Sequence, residues 1–148
     1  MRHIKYIIIN DSMPEASRGK SSNIRIDNLG YHYVINSQGE MLNPIDVSNP
    51  SHLELEARNL KPQEVERLNA CSIGVKYNGS LEPGSLTFEL RAKLIRLLFE
   101  LRSRYPEAAI FALNEIRPET RHLKHETRGI IRVRKDMNQL RRELSDMV

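Results

Sequence analysis

The hydrophobic and polar positions of this chain fall into blocks that are typical of short strands and amphipathic helices. The first block is a β-branched run within His3–Ile9, which stops abruptly at the polar residues Asn10 and Asp11. A continuous Ile-rich run predicts a strand that is buried on both faces, and therefore an interior strand of a sheet. Open α/β sheets bind their ligands beyond the carboxyl ends of such strands. We therefore expect Asn10 to lie at a functional position.

Further strand signals follow, each an apolar run bounded by turn residues: Gly30–Ile35, Glu40–Leu42, Ser72–Tyr77 and Ala108–Ala112. The turn residues Asn36–Gly39 join the first two runs, which predicts a hairpin. Between the runs, Ala16–Asn28 and Pro44–Asn59 show no hydrophobic period, and we expect both segments to be irregular.

Two helices are predicted between the hairpin and the last segment of the chain. Pro62 suits the first turn of a short helix over Gln63–Leu68, because its missing N–H would be unpaired there in any case. Thr87 can cap a long helix that ends at Tyr105. The apolar residues of this long helix recur at intervals of three and four: Leu90, Leu94, Leu97, Leu98 and Leu101.

The last segment, about 131–147, predicts an amphipathic helix whose apolar face needs a docking surface. Its stripe consists of Val133, Met137, Leu140, Leu144 and Met147. A strand, a long helix and a strand follow one another between Ser72 and Ala112, which predicts a crossover with the helix packed on the sheet. The 148 residues thus predict one α/β domain, 1–148, with a central mixed β-sheet flanked by α-helices.

The net charge of +4 is concentrated near the C-terminal end. Basic residues there greatly outnumber acidic ones: Arg117, Arg121, Lys124, Arg128, Arg132, Arg134, Lys135, Arg141 and Arg142. Such a segment favours an anionic partner, namely nucleic acid, a cell-wall polymer or an acidic protein. It is also typical of a solvated helix face, so the charge alone does not identify a partner.

Other single residues mainly exclude functions. Cys71 is the one cysteine, which excludes an internal disulfide framework and a multi-thiolate metal site, and we expect it to be a small buried hydrophobe. His32 points to the sheet face opposite Tyr31 and is expected to be a packed core histidine. The chain has no apolar segment of roughly 18 residues and no basic-then-apolar leader, which predicts a cytoplasmic protein without a membrane span.

Four segments form a pattern in a fixed order: Ile7–Ile9 followed by Ser12 and Pro14, Gly30–Ile35 with Gly39, Asn69–Val75 with Gly79, and the stretch from Thr87 to Pro118. Together they resemble the type 2 N-acetylmuramoyl-L-alanine amidases, the zinc amidases of bacteria and phages that share a fold with peptidoglycan recognition proteins. The second segment is similar to the family's Gly-Tyr-His hairpin, and the third to its Asn-x-x-Ser-Ile-Gly strand. The resemblance implies an amidase-like fold in a protein that stays in the cytoplasm or is released with a phage.

The resemblance fails at the residues that carry the chemistry. The three family positions that bind zinc fall on Asn10, Leu113 and Arg121. The family's Lys or Thr two residues before the last ligand falls on Glu119, and only Tyr31 keeps the family's residue type. Catalytic zinc sites use His, thiolate or carboxylate ligands, whereas Asn offers a neutral amide oxygen, Leu no donor atom and Arg a permanent cation. We therefore expect no zinc and no intact catalytic site.

The resemblance then implies a non-catalytic domain that binds a peptidoglycan fragment, or a protein partner, through the former active-site groove. The residues of this groove are Asn10, Tyr31, Leu113, Glu115, Glu119 and Arg121. Arg121 and Lys124 are candidates for pairing with the carboxylates of a stem peptide, because Arg suits bidentate carboxylate recognition.

Two alternatives stay open. One is a basic module that binds nucleic acid or an acidic protein through the last helix. The other is an active peptidoglycan amidase whose metal ligands have moved. For that alternative, His122 and His125 would share a helix face and could combine with Asp11 or Glu115.

Overall fold

The computed structural model describes residues 2–11, 30–53, 60–78, 88–116 and 135–147. Within these ranges, the strands are β1 (Tyr6–Asn10), β2 (Tyr33–Ile35), β3 (Met41–Leu42), β4 (Ser72–Tyr77) and β5 (Ala109–Ala112). The helices are α1 (Pro62–Ala70), α2 (Phe88–Arg104) and α3 (Lys135–Asp146), and a 3-10 turn spans Leu113–Glu115.

The strands form one mixed sheet in the order β3-β2-β4-β1-β5. β1 pairs in parallel with β4 and β5, β2 pairs in parallel with β4, and β3 returns antiparallel to β2 as the predicted hairpin. The structure confirms an α/β domain with a mixed sheet and flanking helices, and it confirms that β1 is an interior strand. The four parallel strands β2, β4, β1 and β5 have their carboxyl ends on the same side of the sheet.

The side chains of β1 alternate between two apolar clusters. Ile7 and Ile9 join the larger cluster, which α2 and α3 cover with Leu94, Leu97, Leu98, Leu101, Met137, Leu140 and Leu144. Ile8 joins the smaller cluster, to which α1 contributes Val65 and Leu68. Because helices cover both faces, Ile7, Ile8 and Ile9 are all fully buried, which explains why this strand is apolar without alternation.

Several predicted elements differ from the observed ones in their extent. The predicted strand Gly30–Ile35 shortens to Tyr33–Ile35, because Gly30 pairs instead with His52, whose N–H donates to the Gly30 carbonyl at 3.0 Å. The predicted strand Ala108–Ala112 begins one residue later. The predicted helix Gln63–Leu68 extends to both sides, from Pro62 to Ala70.

Two predictions of burial were wrong. Met147 was predicted on the buried stripe of the last helix, but α3 ends at Asp146 and the Met147 side chain is 46% exposed. Cys71 was predicted to be buried, but it caps the C-terminal end of α1 and is only partly buried. The predicted loop Ala16–Asn28, the cap residue Thr87 and the first residues of the predicted last helix, 131–134, lie outside the described residues.

An ion pair between Arg141 and Glu115 closes one edge of the sheet. β5 is an outer strand of the sheet, so the N–H and C=O groups of every second residue face away from β1. Arg141 Nε donates to the Ile110 carbonyl at 2.9 Å, and Glu115 Oε1 accepts a hydrogen bond from the Ala112 N–H at 2.9 Å. The guanidinium carbon of Arg141 also lies 5.2 Å from the ring centre of Phe111. These contacts fix α3 against β5.

Replacing Arg141 with methionine should lower the free energy of unfolding by about 2–3 kcal/mol, because it breaks the ion pair with the fully buried Glu115 carboxylate. Breaking a wholly buried pair typically costs about 3–5 kcal/mol, and the partial exposure of Arg141 reduces that cost. Urea denaturation followed by circular dichroism measures the difference. Arg142→Met, at the exposed neighbouring position, is the matched control and should change the value by less than about 0.5 kcal/mol. Equal effects at both positions would contradict this role of Arg141.

Candidate functional site

Asn10, Tyr31 and Lys76 meet at the carboxyl ends of the parallel strands, and we call them the Tyr31 cluster. Asn10 ends β1 and is paired in register with Lys76 of β4. Asn10 Nδ2 donates to the Tyr31 hydroxyl oxygen at 2.7 Å. The Lys76 ammonium nitrogen lies 5.5 Å from the centre of the Tyr31 ring, which is the distance of a cation–π contact.

Gly74 makes room for the Tyr31 ring on β4. A Cβ atom at this position would lie 3.1 Å from Tyr31 Cδ1 and 3.3 Å from Ser51 Oγ, closer than ordinary van der Waals contact. The Gly74 N–H also donates to His32 Nδ1 at 3.0 Å. The Gly-Tyr-His and Ser-Ile-Gly segments of the sequence are therefore in direct contact.

Lys76 is a site residue that sequence reasoning missed. Its residue exposure is only 4%, which is rare for a lysine. Its burial became evident only in the structure, where every residue of β4 from Ser72 to Tyr77 is buried and the lysine does not point into solvent as it would on an edge strand. The alternation of side chains puts Lys76 on the same sheet face as Gly74, and hence beside Tyr31.

Leu113 and Glu115 lie in the 3-10 turn that follows β5. Leu113 is buried in the same apolar cluster as Tyr31 and Ile8, so the structure brings together three of the predicted groove positions: Asn10, Tyr31 and Leu113. Glu115 is placed differently. Its carboxylate is fully buried and bonds to Ala112 N–H and Arg141, so it serves the edge of the sheet.

The remaining predicted site residues are Glu119, Arg121, His122 and His125, and they lie outside the described residues, as does Lys124. Among the residues that the structure describes, no group of three or more His, Cys, Asp or Glu side chains is arranged to hold a metal ion. In the same ranges, no helix combines the length and the apolar character that crossing a bilayer requires.

The chemistry of the Tyr31 cluster does not fit the zinc ion that the resemblance implies. Asn10 donates an amide N–H to the Tyr31 hydroxyl, and Leu113 has no atom that can bind a metal. Lys76 adds a positive charge at this point of the sheet. Two unit charges about 4 Å apart interact by about 4 kcal/mol near a protein surface, and a dication would be repelled about twice as strongly. The same donors and charge suit an anion such as a carboxylate.

His32 forms a second polar cluster with Arg2, Asn49 and Ser51, and we call it the His32 cluster. His32 is fully buried, which confirms the predicted core histidine. Its Nε2 lies 2.6 Å from the Asn49 carbonyl oxygen, and its Nδ1 lies 3.3 Å from Ser51 Oγ. Burial is the main cause that lowers the pKa of His32 below its ordinary value.

Cys71 does not provide a nucleophile. Burial raises the pKa of its thiol, so the thiolate is scarce at neutral pH. The thiol donates to the Arg67 carbonyl at 3.3 Å, within the last turn of α1. The residue therefore serves to end the helix, where its N–H also donates to the Leu68 carbonyl at 3.2 Å.

The sequence matches no protein-family model, and no curated protein matches it significantly.

Replacing Tyr31 with phenylalanine should lower the free energy of unfolding by about 1 kcal/mol, because Asn10 loses its buried acceptor while its own partial exposure lets water replace the bond. Chemical denaturation measures the change. Tyr33→Phe makes the same substitution at a partly buried position two residues away and is the matched control. A smaller effect at position 31 than at position 33 would contradict the anchoring role of the Tyr31 hydroxyl.

Proposed function

We propose that this chain is a zinc-free, non-catalytic relative of the type 2 amidases that binds a peptidoglycan fragment through a carboxylate of its stem peptide. The observation that carries the proposal is the Tyr31 cluster. A buried ammonium and an amide donor lie at the carboxyl ends of β1 and β4, close to the point where the amidase resemblance predicts a metal. The zinc site of the amidases binds a cation, whereas a site with these groups binds an anion.

The proposal follows from three properties of the cluster. It lies at the carboxyl ends of the parallel strands, where open α/β folds bind their ligands. Its lysine is buried, and a charge-assisted hydrogen bond is worth more in the interior than at an exposed surface. Its amide group is already oriented by Tyr31, so little conformational entropy is lost when a ligand binds.

Hydrolysis is not part of the proposal, because the groups that remain supply too little catalysis. Without a metal, the pKa of the attacking water is not lowered from about 16 to about 7. A single hydrogen-bond donor to a developing oxyanion, such as Tyr31, contributes a factor of about 10² to 10³. Amide hydrolysis needs far more than this factor, so the site is suited to binding alone.

The alternative of a nucleic-acid module receives less support from the last helix. Of the basic residues predicted to form its charged face, Arg141 bonds to Glu115 and to the Ile110 carbonyl. In the described part of α3, Lys135 and Arg142 are the exposed cations. Phosphate contacts that dominate nucleic-acid affinity need several free Lys or Arg side chains, and Arg141 is not one of them.

Isothermal titration calorimetry with muramyl tripeptide tests the proposal. We expect saturable binding to the wild-type protein and binding about ten- to a hundredfold weaker for Lys76→Met, because a hydrogen bond to a charged group contributes about 1.5–3 kcal/mol. Lys135→Met removes the same charge from an exposed position at the start of α3, and it should bind like the wild type. Absence of binding heat, or equal affinity of the two variants, would contradict the proposed site.

Metal analysis of protein purified without chelator separates this proposal from the active-amidase alternative. We expect no stoichiometric transition metal and no release of peptide from cell-wall sacculi. A bound metal ion together with peptide release would establish an amidase with relocated ligands. Retention on heparin at low salt, without any binding of muramyl tripeptide, would favour the nucleic-acid alternative.

A further inference from the structure

Arg2 joins two segments that are distant in sequence. On one side, its guanidinium donates to the Val47 carbonyl at 2.7 Å. On the other side, it donates to the Asn69 carbonyl at 3.2 Å and to the Ser72 carbonyl at 2.9 Å. The first acceptor belongs to the irregular segment 43–53, and the others belong to the end of α1 and the start of β4. One cation thus holds this segment against α1.

His32 makes the same connection from inside the protein, and its bonds identify its tautomer. Nδ1 accepts from the Gly74 N–H, so it carries no hydrogen. Nε2 must then carry the hydrogen of the neutral ring, and it donates this hydrogen to the Asn49 carbonyl at 2.6 Å. The neutral ring therefore links β4 on one side to the segment 43–53 on the other.

Segment 43–53 and α1 form the walls of an open groove of about 1020 Å³. Pro50, Ser51 and His52 line one wall, and residues of α1, such as Val65 and Asn69, line the other. Backbone and side-chain bonds cross near its floor, where the Ser51 N–H donates to the Asn69 carbonyl at 3.3 Å and the Leu53 N–H to Asn69 Oδ1 at 3.2 Å. The shape of the groove therefore depends on the attachment of segment 43–53.

We propose that protonation of His32 releases segment 43–53 from α1 and β4 and so reshapes this groove. A protonated Nδ1 cannot accept the Gly74 N–H, which would lose its partner inside the protein. The imidazolium would also lie against a second cation, because Arg2 Nη2 is 3.2 Å from His32 Nε2. Both effects oppose the present arrangement, and release of the segment removes both.

Burial is the main cause that lowers the pKa of His32, and the charged groups around the ring act in opposite directions. Arg2, from the N-terminal segment, and His52, from segment 43–53, disfavour the imidazolium, while Asp46 in that segment favours it. From β4, the contact is the uncharged N–H of Gly74. Asp46 is itself bonded to the Ser48 N–H and hydroxyl at 2.9 Å, so its charge is shared with that turn.

Linkage gives the pH window. Burial lowers the pKa of His32 below the value of 6.5 that it has in an unfolded chain. The released state therefore binds a proton more readily than the attached state. The stability that this cluster contributes is fully present above pH 6.5 and is lost as the pH falls through the lowered pKa. Acidification, and not alkalinisation, is the trigger.

Hydrogen exchange of the full chain, measured by mass spectrometry and corrected for the intrinsic rate at each pH, tests the proposal. Between about pH 7.5 and about pH 4.5, we expect segment 43–53 to lose protection at least about tenfold, while β1 and the β4 amides other than Gly74 keep theirs. Unchanged protection of the segment over this range would overturn the proposal. Simultaneous loss in β1 and in the β4 amides other than Gly74 would also overturn it, because the segment would then not open as a separate unit.

His32→Gln keeps an acceptor and a donor but does not titrate, so its segment 43–53 should show the same protection at both pH values. His52→Gln is the matched control and should keep the pH dependence of the wild type. If His32→Gln does not fold, nuclear magnetic resonance titration of the wild-type imidazoles decides instead. The loss of protection must then follow the titration midpoint of His32, and a different midpoint would overturn the proposal.

Discussion

The backbone of Gly74 is the constraint on which the polar interior of this protein depends. Its missing side chain lets the Tyr31 ring lie against β4, and its N–H holds His32 in one tautomer. Tyr31 then reaches Asn10 at the end of β1, while His32 reaches Asn49 beside α1. One residue without a side chain therefore determines the positions of two successive side chains, and through them the arrangement of both polar clusters.

Hydrophobic periodicity was enough to predict the elements whose burial is regular. β4 has the bounds that its apolar run predicts, and α2 occupies the span between the predicted cap at Thr87 and the predicted end at Tyr105. The predictions were wrong where the end of an element depends on contacts with residues that are distant in sequence. Gly30 leaves the strand because its backbone pairs with His52, and no local pattern contains that pairing. Met147 is exposed because α3 ends before it.

The site was predictable only in part, for the same reason. The sequence places Asn10 at the end of a buried strand, but the bond between Asn10 and Tyr31 depends on the sheet order, which puts β4 between β1 and β2. Lys76 looked like an ordinary strand residue until its pairing with Asn10 put it beside the tyrosine. Arg141 was predicted as a surface cation, yet it reaches Glu115 across the edge of the sheet. Long side chains such as these are placed by tertiary contacts and not by local propensity.

The two margins of the sheet differ in a way that limits how copies of this protein can associate. At β5, the Arg141–Glu115 pair occupies the outward-facing Ile110 carbonyl and Ala112 N–H, so a further strand would have to displace an ion pair. At β3, Met41 and Leu42 are 50% and 43% exposed, and no comparable ion pair covers this strand among the described residues. Growth of a cross-β stack requires two open margins on every molecule. Of the two outer strands that the structure describes, β3 is therefore the one that stays open to pairing with a strand of another molecule.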